Sequence, residues 1–524
     1  MADKSRHGRS AGGLILPRRR FLGSTALLGA SAALAPGLLR RARAAEPNRG
    51  GNLKLGLDGA AATDSLDPAT YTATYMQTVG YQWGNCLVEL DEKVRPIPEL
   101  AESWEANADA SVWVFKLRKG VTFHNGMEMS ATDVVYSVNH HRGPDSKSGA
   151  KGYLEVIKEV KATGKYEVTF ELETPSADLP YVLSDYHVLI VPDGSDFAKP
   201  IGTGPYIIES FEPGVRTLAR RNPDYWKEGR GWADSVETLA LNDLTARTSA
   251  LQTGAVHFIN RLDPKTVHLL ERAPGVLVIN VPSAGHYTFV MRCDTPPFDN
   301  NHLRLALKWG IDRTELVDKI LRGYGRIGND HPIPDFDPFF NTELPQREFD
   351  ADKAKFHLKK SGYDGPIQLH IADAAFTGAV DAAQLYAQHL AKAGIKLDIV
   401  REPNDGYWSN VWMKKSFVGS YWGGRPTADL MFSVAYKSDA PWNESFWKRP
   451  EFDELLIQAR SELDFEKRKQ LYWEMQRMVW EDGGEIIPMF NNYLFGSRNN
   501  IAGFVPVPVL TGLRVSEQLY FTDL

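Results

Sequence analysis

The residues best suited to holding a small polar ligand lie between Tyr407 and Trp447. In that segment 11 of 41 residues are aromatic, about 27%, against 11% for the whole chain. Core segments are usually rich in Val, Leu and Ile, whereas these rings alternate with glycines, asparagines and an arginine. Proteins enclose small polar ligands with rigid aromatic walls and a few polar groups. The segment therefore predicts a ligand-binding wall, with about half of its rings packed in the core.

One arginine, Arg425, is the candidate anchor of this site. It stands between a Gly-Gly pair and a proline, beside a tryptophan. A guanidinium can hold a carboxylate through two parallel hydrogen bonds and can also stack on an aromatic ring. The alternative is an arginine that is simply solvated. We predict that Arg425 binds an anionic group, that two rings enclose the ligand and that two further side chains hydrogen-bond to it: Trp422 and Trp442, then Tyr421 and Asn443.

Motifs for catalysis are weak in comparison. The sequence has no His-Glu-x-x-His zinc motif, no Gly-x-Ser-x-Gly elbow and no Walker loop. Ser148 and Lys151 fit a Ser-x-x-Lys pattern in a polar, Gly-rich loop, and the neighbouring His140 and His141 are expected to form a solvated pair. We predict no catalytic residue, no metal site and no cofactor. An exported hydrolase of peptides or glycoconjugates remains the alternative, because catalytic triads are recognised by geometry rather than by sequence order.

Composition and charge limit the class of protein. The chain has 524 residues, 60 Lys+Arg and 66 Asp+Glu, a net charge of −6 and 43% hydrophobic residues. These values exclude a disordered chain, a polytopic membrane protein and a basic surface for nucleic acid. One hydrophobic core stops growing near about 250–300 residues, so at least two domains are expected. Only Cys86 and Cys293 are present, and whether they pair is left open.

The N-terminal residues resemble an export signal. A basic stretch that contains Arg18 and Arg19 precedes an apolar run rich in Ala, Leu and Gly, and small residues follow at Ala42–Ala44. This order is typical of a signal peptide, and the arginine pair resembles the twin-arginine motif. Residues 1–44 are therefore predicted to be a Tat-type signal peptide. Its removal would change the net charge from −6 to −14.

Periodicity predicts an α/β chain after the signal peptide. Alternating apolar residues indicate strands over 113–117 and 166–172. Asp312 and Glu315 fit a capping box, Ala383 to Leu390 follow helical spacing, and Asp464 fits the cap of a long helix. Helix, short glycine turn and strand follow one another in the second half, which is typical of an α/β domain.

Four sequence blocks follow one another along the chain, at residues 100–136, at 202–206 with 221–226, at 297–313 and at 352–363. In this order they resemble the family 5 extracellular solute-binding proteins, the receptors of peptide, nickel and opine-type ABC importers, including dipeptide- and oligopeptide-binding proteins. Any one block is modest support, and four in order are strong. The resemblance covers nearly the whole chain after the signal peptide.

The resemblance implies a two-lobed α/β periplasmic binding protein with a hinge between its lobes. Lobe I would comprise residues 45–283 and 492–524, and lobe II residues 284–491. The chain would cross at Ser283–Ala284 and return at Asn491–Asn492. The resemblance further implies an exported, periplasmic monomer that delivers a solute to ABC permease subunits and their ATPases.

The resemblance also shapes the expected ligand. Peptide-binding members often carry an acidic residue after a tryptophan in the ligand loop, where it pairs with the peptide ammonium. Arg425 stands there instead, and Asp429 is the acidic residue that would take over that role. If Arg425 faces the cleft, the ligand carries an anionic group. An oligopeptide and an opine-like sugar–amino acid conjugate are the two ligand classes expected.

Overall fold

The structure, a computed structural model, describes residues 47–404, 406–440, 442–509 and 512–523, so the predicted signal peptide lies outside the described residues. The strands are β1 (Asn52–Leu57), β2 (Val88–Leu90), β3 (Pro96–Pro98), β4 (Ala101–Ala106), β5 (Val112–Leu117), β6 (Ile157–Gly164), β7 (Glu167–Leu172), β8 (Tyr206–Glu212), β9 (Arg216–Arg221), β10 (Ser235–Ala240), β11 (Phe258–Ile259), β12 (Val276–Val281), β13 (His286–Met291), β14 (Gly325–Ile327), β15 (Ile367–Ile371), β16 (Leu397–Arg401), β17 (Phe417–Trp422), β18 (Glu485–Asn491), β19 (Tyr493–Arg498), β20 (Ile501–Ala502) and β21 (Tyr520–Phe521).

The α-helices are α1 (Thr74–Trp83), α2 (Ala131–His140), α3 (Lys151–Leu154), α4 (Leu179–Val182), α5 (Leu244–Thr253), α6 (Val267–Leu270), α7 (Asn301–Trp309), α8 (Arg313–Lys319), α9 (Ala351–Ser361), α10 (Ala379–Lys392), α11 (Tyr407–Asn410), α12 (Ala428–Ala435), α13 (Pro450–Ser461), α14 (Phe465–Asp482) and α15 (Val515–Gln518). Over the described part of the chain, no helix combines the length and the apolar character needed to cross a bilayer.

Three sheets organise the chain. The seven-stranded sheet has the order β12-β19-β11-β1-β10-β9-β8, the six-stranded sheet the order β14-β18-β13-β17-β15-β16, and the four-stranded sheet the order β4-β5-β7-β6. Helices pack on all three, for example α5 on β1, α10 on β15 and β16, and α2 on β6. The α/β class predicted from periodicity is confirmed.

Local sequence signals position several of these elements. The side chain of Asp312 caps α8 by accepting the N–H of Glu315 at 2.9 Å, and Asp464 caps α14 by accepting the N–H of Lys467 at 3.0 Å. The reciprocal bond of a capping box is replaced by one to His389, whose Nδ1 accepts the Asp312 N–H while its Nε2 lies 2.9 Å from the Glu315 carboxylate. The helices predicted after Asp312 and Asp464 are confirmed, as are the strands predicted over 113–117 and 166–172.

The chain passes between the seven-stranded and the six-stranded sheet twice, at adjacent places. It leaves the seven-stranded sheet after β12 and enters the six-stranded sheet with β13; it leaves that sheet after β18 and returns with β19. The predicted crossings at Ser283–Ala284 and Asn491–Asn492 lie in these intervals. The lobe boundaries remain a prediction, and we use lobe I for residues 47–283 and 492–523 and lobe II for residues 284–491.

Each lobe has its own core. In lobe II, Phe289, Leu303 and Tyr386 belong to one fully buried cluster, and in lobe I, Leu55 and Trp83 belong to another. Separate cores are what two domains of this size require. Both cysteines are free thiols: Cys86 is buried and Cys293 is half-buried.

A buried carboxylate joins three segments of lobe II. Asp330 is fully buried and accepts hydrogen bonds from Arg313 at 2.7 Å and from the N–H of Ile487 in β18 at 3.1 Å, and it also pairs with Arg347. Burial alone would raise the pKa of Asp330, but Arg313 and Arg347 lower it to about 2. The network therefore links α8 to the strand that leads back to lobe I.

Replacing this carboxylate should destabilise the protein strongly. Asp330→Ala leaves two buried guanidinium groups without their anion, so the free energy of unfolding should fall by about 3–5 kcal/mol. The carboxylate has a folded-state pKa below its unfolded value, so its contribution should be present above about pH 4 and lost as the pH falls toward 2. Urea unfolding monitored by circular dichroism measures both effects. Asp352→Ala, at a 97% exposed side chain, is the control, and equal losses for the two variants would contradict the assignment.

Candidate functional site

The ligand loop, residues 423–426, follows β17 directly. This strand pairs with β13 so that Tyr421 lies opposite Tyr287 and Trp422 opposite His286. A Cβ added at Gly424 would lie 2.7 Å from the Cβ of Ala284, so only glycine lets the loop pass this close to the crossing segment. Thr427 then caps α12 by accepting the N–H of Leu430 at 3.2 Å. The loop is thus fixed at both ends and against the crossing.

A buried glutamate holds two of the tryptophans. The Trp422 indole N–H donates to one oxygen of Glu444 at 2.8 Å, and the Trp412 indole N–H donates to the other oxygen. Glu444 is 1% exposed, and burial raises its pKa. Because each carboxylate oxygen accepts a different indole, Glu444 fixes both ring planes. Glu444 was not among the site residues predicted from the sequence, where its place next to Asn443 was the one signal that pointed to it.

Three large rings of the segment remain exposed to solvent. Trp408 is 40% exposed, Tyr421 41% and Trp442 46%. The Trp408 and Tyr421 ring centroids are 5.5 Å apart, and those of Trp442 and the buried Trp422 are 6.1 Å apart. Other rings of the segment, including Phe432 and Tyr436, are buried in a core cluster. The expected division between wall and core is therefore present.

Arg425 reaches from the ligand loop toward lobe I. Within the described residues its guanidinium hydrogen-bonds only to the Gly423 carbonyl, at 3.0 Å, and lies 5.9 Å from the Trp422 ring centroid. Burial raises the pKa of Tyr153 and of Tyr186, two lobe I residues, and the nearby Arg425 lowers both in part. In the part of the chain that the structure describes, Arg425 thus has no carboxylate partner, and it acts on two tyrosines of lobe I.

The two other predicted polar residues are engaged by the protein. The Asn443 side chain, 3% exposed, donates to the Trp447 carbonyl at 2.6 Å and accepts the Trp447 N–H at 3.2 Å. Asp429 is 5% exposed and pairs with Arg460 at 3.1 Å. Their hydrogen bonds close a turn and join α12 to α13, and both side chains are nearly inaccessible to solvent.

The lobes also touch through direct ion pairs. Arg468 in α14 pairs with Asp178 of lobe I at 2.7 Å, and Lys265 of lobe I pairs with Asp381 in α10 at 2.8 Å. These ion pairs join segments of lobe II directly to segments of lobe I.

The serine of the Ser-x-x-Lys pattern lies in a buried turn. Ser148 is 7% exposed and its hydroxyl lies 2.7 Å from Nδ1 of His141, which is 1% exposed. Lys151 instead donates to the Pro144 carbonyl at 3.0 Å. The expectation of a solvated histidine pair is wrong. His140 is half-buried because it packs against Phe197 and lies 2.7 Å from Asp67, and His141 is buried between Ser148 and His187.

The family is decided by a match to known proteins. Residues 95–444 match the family model described as bacterial extracellular solute-binding proteins, family 5 middle. The chain belongs to this family. The resemblance inferred from the four blocks is confirmed.

Relatives of known function cover most of the family 5 chain. A glutathione-binding protein of Pectobacterium atrosepticum is 24% identical over 463 residues, covering 85% of this chain and 90% of the relative. A di/tripeptide-binding protein of Pseudomonas aeruginosa is 26% identical over 496 residues, covering 86% and 92%.

Solved structures show the same fold. The periplasmic binding protein DppA of Helicobacter pylori, in complex with the peptide STSA, aligns with a TM-score of 0.76 at 23% identity, over 91% of this chain and 99% of its own. AgaA of Agrobacterium tumefaciens R10, in complex with agropinic acid, aligns with a TM-score of 0.77 at 22% identity, over 90% and 99%. The two-lobed α/β binding-protein fold is therefore confirmed.

The family gives the general role. Family 5 members are transport receptors rather than enzymes, and they bind small solutes and work with ABC permease and ATPase subunits. This chain is the substrate-binding component of such an importer.

The hydrogen bonds that two indole groups donate to Glu444 lead to a testable prediction. Glu444→Gln keeps one carbonyl acceptor and turns an NH₂ group toward the second indole N–H, which then loses its partner. The free energy of unfolding should fall by about 1–3 kcal/mol. Urea unfolding followed by far-UV circular dichroism measures the change. Glu451→Gln, at an exposed position in the first turn of α13, is the matched control, and an unchanged stability of Glu444→Gln would refute the positioning role.

Proposed function

We propose that the protein captures a small, polar, carboxylate-bearing solute between its lobes and delivers it to its permease. The observation that carries this proposal is the state of Arg425, a guanidinium between the lobes whose only hydrogen-bond acceptor among the described residues is a carbonyl of its own loop. A buried or half-buried cation without an anion favours an anionic ligand, because a charge-assisted bidentate pair replaces lost hydration.

The ring arrangement supports a ligand with apolar and polar parts. The exposed faces of Trp408, Tyr421 and Trp442 offer rigid surface beside Arg425, and Glu444 holds the Trp422 ring behind them. Rings held in this way lose little entropy when a ligand packs on them. Trp422, Trp442 and Tyr421 are therefore proposed to enclose the ligand and Arg425 to bind its carboxylate.

Relatives support the same ligand chemistry. Glutathione, di- and tripeptides and agropinic acid are named as ligands of proteins similar to this chain, and all of them carry carboxylates. Peptides and opine-like sugar–amino acid conjugates are the two classes proposed here. Residues 1–44 are proposed to direct export through the twin-arginine route to the periplasm, where the mature chain acts as a monomer.

Loss of the Arg425 side chain should weaken binding. Native mass spectrometry of protein purified from its own host would identify the bound solute, and isothermal titration would then give the dissociation constants. Arg425→Ala should raise the dissociation constant about 10- to 150-fold, in line with roughly 1.5–3 kcal/mol for a charge-assisted hydrogen bond. Arg401→Ala, at an exposed position at the end of β16, should bind normally. An unchanged constant for Arg425→Ala would remove this residue from the site.

Ligand binding should bring the lobes together. If the solute bridges Arg425 and lobe I, the radius of gyration measured by small-angle scattering should decrease at saturating ligand. Arg425→Ala at the same ligand concentration should keep the ligand-free value. Equal radii for the free and saturated wild-type protein would contradict a closing cleft, and conversion of the ligand during the experiment would favour a hydrolase.

A further inference from the structure

A pair of charged side chains, Asp58 and Arg261, lies at the carboxyl ends of two neighbouring strands of the lobe I sheet. β1 and β11 are adjacent and parallel, with Leu55 opposite Phe258 and Gly56 opposite Ile259. Asp58 follows the carboxyl end of β1, and Arg261 follows the carboxyl end of β11 after one residue. Ligands of α/β proteins bind outside the carboxyl ends of parallel strands. Arg425, which follows β17, stands at the equivalent edge of the lobe II sheet, where β17 runs parallel to β15.

The backbone of Arg261 is held in an unfavourable conformation. Its φ is +49°, a left-handed value that is uncommon for a residue with a side chain. The guanidinium of Arg247 donates to the Arg261 carbonyl at 3.2 Å, and the next N–H, of Leu262, donates to the Leu494 carbonyl at 3.1 Å. Conformations of this kind persist where the surroundings enforce them, and they concentrate at functional sites. Here they direct a side chain that stays 62% exposed.

Asp58 and Arg261 keep unused hydrogen-bonding groups. Arg261 donates to one oxygen of Asp58 at 3.1 Å, and Asn260 donates to the other at 2.7 Å. A carboxylate has about four acceptor positions and a guanidinium five donors, so both groups retain capacity for a ligand. The pair therefore presents a negatively charged hydrogen-bond acceptor and a positively charged hydrogen-bond donor side by side.

The segment that carries Arg261 reaches lobe II. Lys265, shortly after Arg261 in the chain, pairs with Asp381 in α10 at 2.8 Å. Burial raises the pKa of Tyr493, while its hydrogen bonds to Gly424 and Ser283 and the nearby Arg261 and Arg425 lower it in part. Tyr493, the first residue after the return crossing, is thus within electrostatic reach of both arginines.

We propose that Asp58 and Arg261 form a second subsite that binds the α-amino-acid group of the ligand, with its ammonium on Asp58 and its carboxylate on Arg261. Arg425 binds a separate carboxylate at the other end of the same molecule. This inference rests on the proposed function and narrows its ligand class to compounds with a free α-amino acid at one end and a further carboxylate at the other. Side-chain-linked glutamyl peptides and amino-acid conjugates have this layout. Ordinary α-linked peptides do not, because their ammonium and main-chain carboxylate lie at opposite ends.

Two isomeric tripeptides test the subsite. γ-Glu-Ala-Gly and α-Glu-Ala-Gly have the same atoms and the same net charge, but only the γ isomer has ammonium and carboxylate on one carbon. Isothermal titration of the full mature chain should show the γ isomer binding at least about 10-fold more tightly. Arg261→Gln should weaken the γ isomer about 10- to 100-fold and leave the α isomer nearly unchanged, so that the preference disappears. Asp58→Asn should reduce the preference in the same direction.

Controls separate this subsite from folding and from the proposed function. Arg272→Gln, at an exposed position of lobe I, should keep the preference, and thermal unfolding should show all variants folded. Equal affinity of the wild type for both isomers, binding of neither, or a preference that survives Arg261→Gln overturns the subsite. If Arg425→Ala still weakens binding of the solute identified by native mass spectrometry, the proposed function stands without it; if Arg425→Ala has no effect while Arg261→Gln removes the preference, the proposed function fails and the subsite stands.

Discussion

The arrangement of the cleft depends on two crossing segments that are hydrogen-bonded to each other. The Ser283 hydroxyl donates to the Asn491 carbonyl at 2.6 Å, and the Asn491 N–H donates to the Gly285 carbonyl at 3.0 Å. Arg326 adds a bond to the Ser283 carbonyl at 2.8 Å. Because the ligand loop contacts Ala284 through Gly424, its position is set by these crossings rather than by lobe II alone. Any change in the angle between the lobes therefore pivots close to Arg425.

The rings of the cleft are fixed by polar groups that a ligand does not touch. Trp422 is held by Glu444, which also binds Trp412, and Glu444 sits in a site where burial raises its pKa. A buried carboxylate with unpaired oxygens would be costly, so the two indole N–H groups and the glutamate require one another. This mutual dependence orients Trp422 and Trp412 before any ligand arrives, whereas Trp408 and Trp442 keep exposed faces for contact. Preorganisation of this kind reduces the entropy lost on binding.

Local sequence patterns were sufficient for the capped helices and the alternating strands, but not for the partners of buried polar side chains or for residues that meet from distant parts of the chain. Capping residues such as Asp312 and Asp464 act over three or four positions, so the sequence reveals them directly. Asn443 was predicted to bind the ligand from its place beside Trp442, and Asp429 was predicted as the acid of the ligand loop. Whether their polar groups are free depends on partners such as Trp447 and Arg460, which the sequence spacing does not show. Arg261 is distant in sequence, and only the pairing of β1 with β11 brings it beside Asp58. Polar residues that directly follow a short apolar strand were the one sequence signal that pointed to it.

The charges that the cleft offers to a ligand depend on which acidic side chains already have an arginine partner. The acidic residue expected in the ligand loop is replaced by Arg425. Asp429, at the start of α12, is paired with Arg460 of α13, so the loop itself presents only positive charge. The acid that we propose for the other end of the ligand is Asp58, which belongs to lobe I and pairs with Arg261 at 3.1 Å. An ammonium and a remote carboxylate can then be satisfied together only by a ligand that spans both lobes with its cation toward lobe I. Such a layout selects the orientation of the ligand rather than its number of charges. A reversed ligand would place its ammonium against Arg425 and its carboxylate against Asp58.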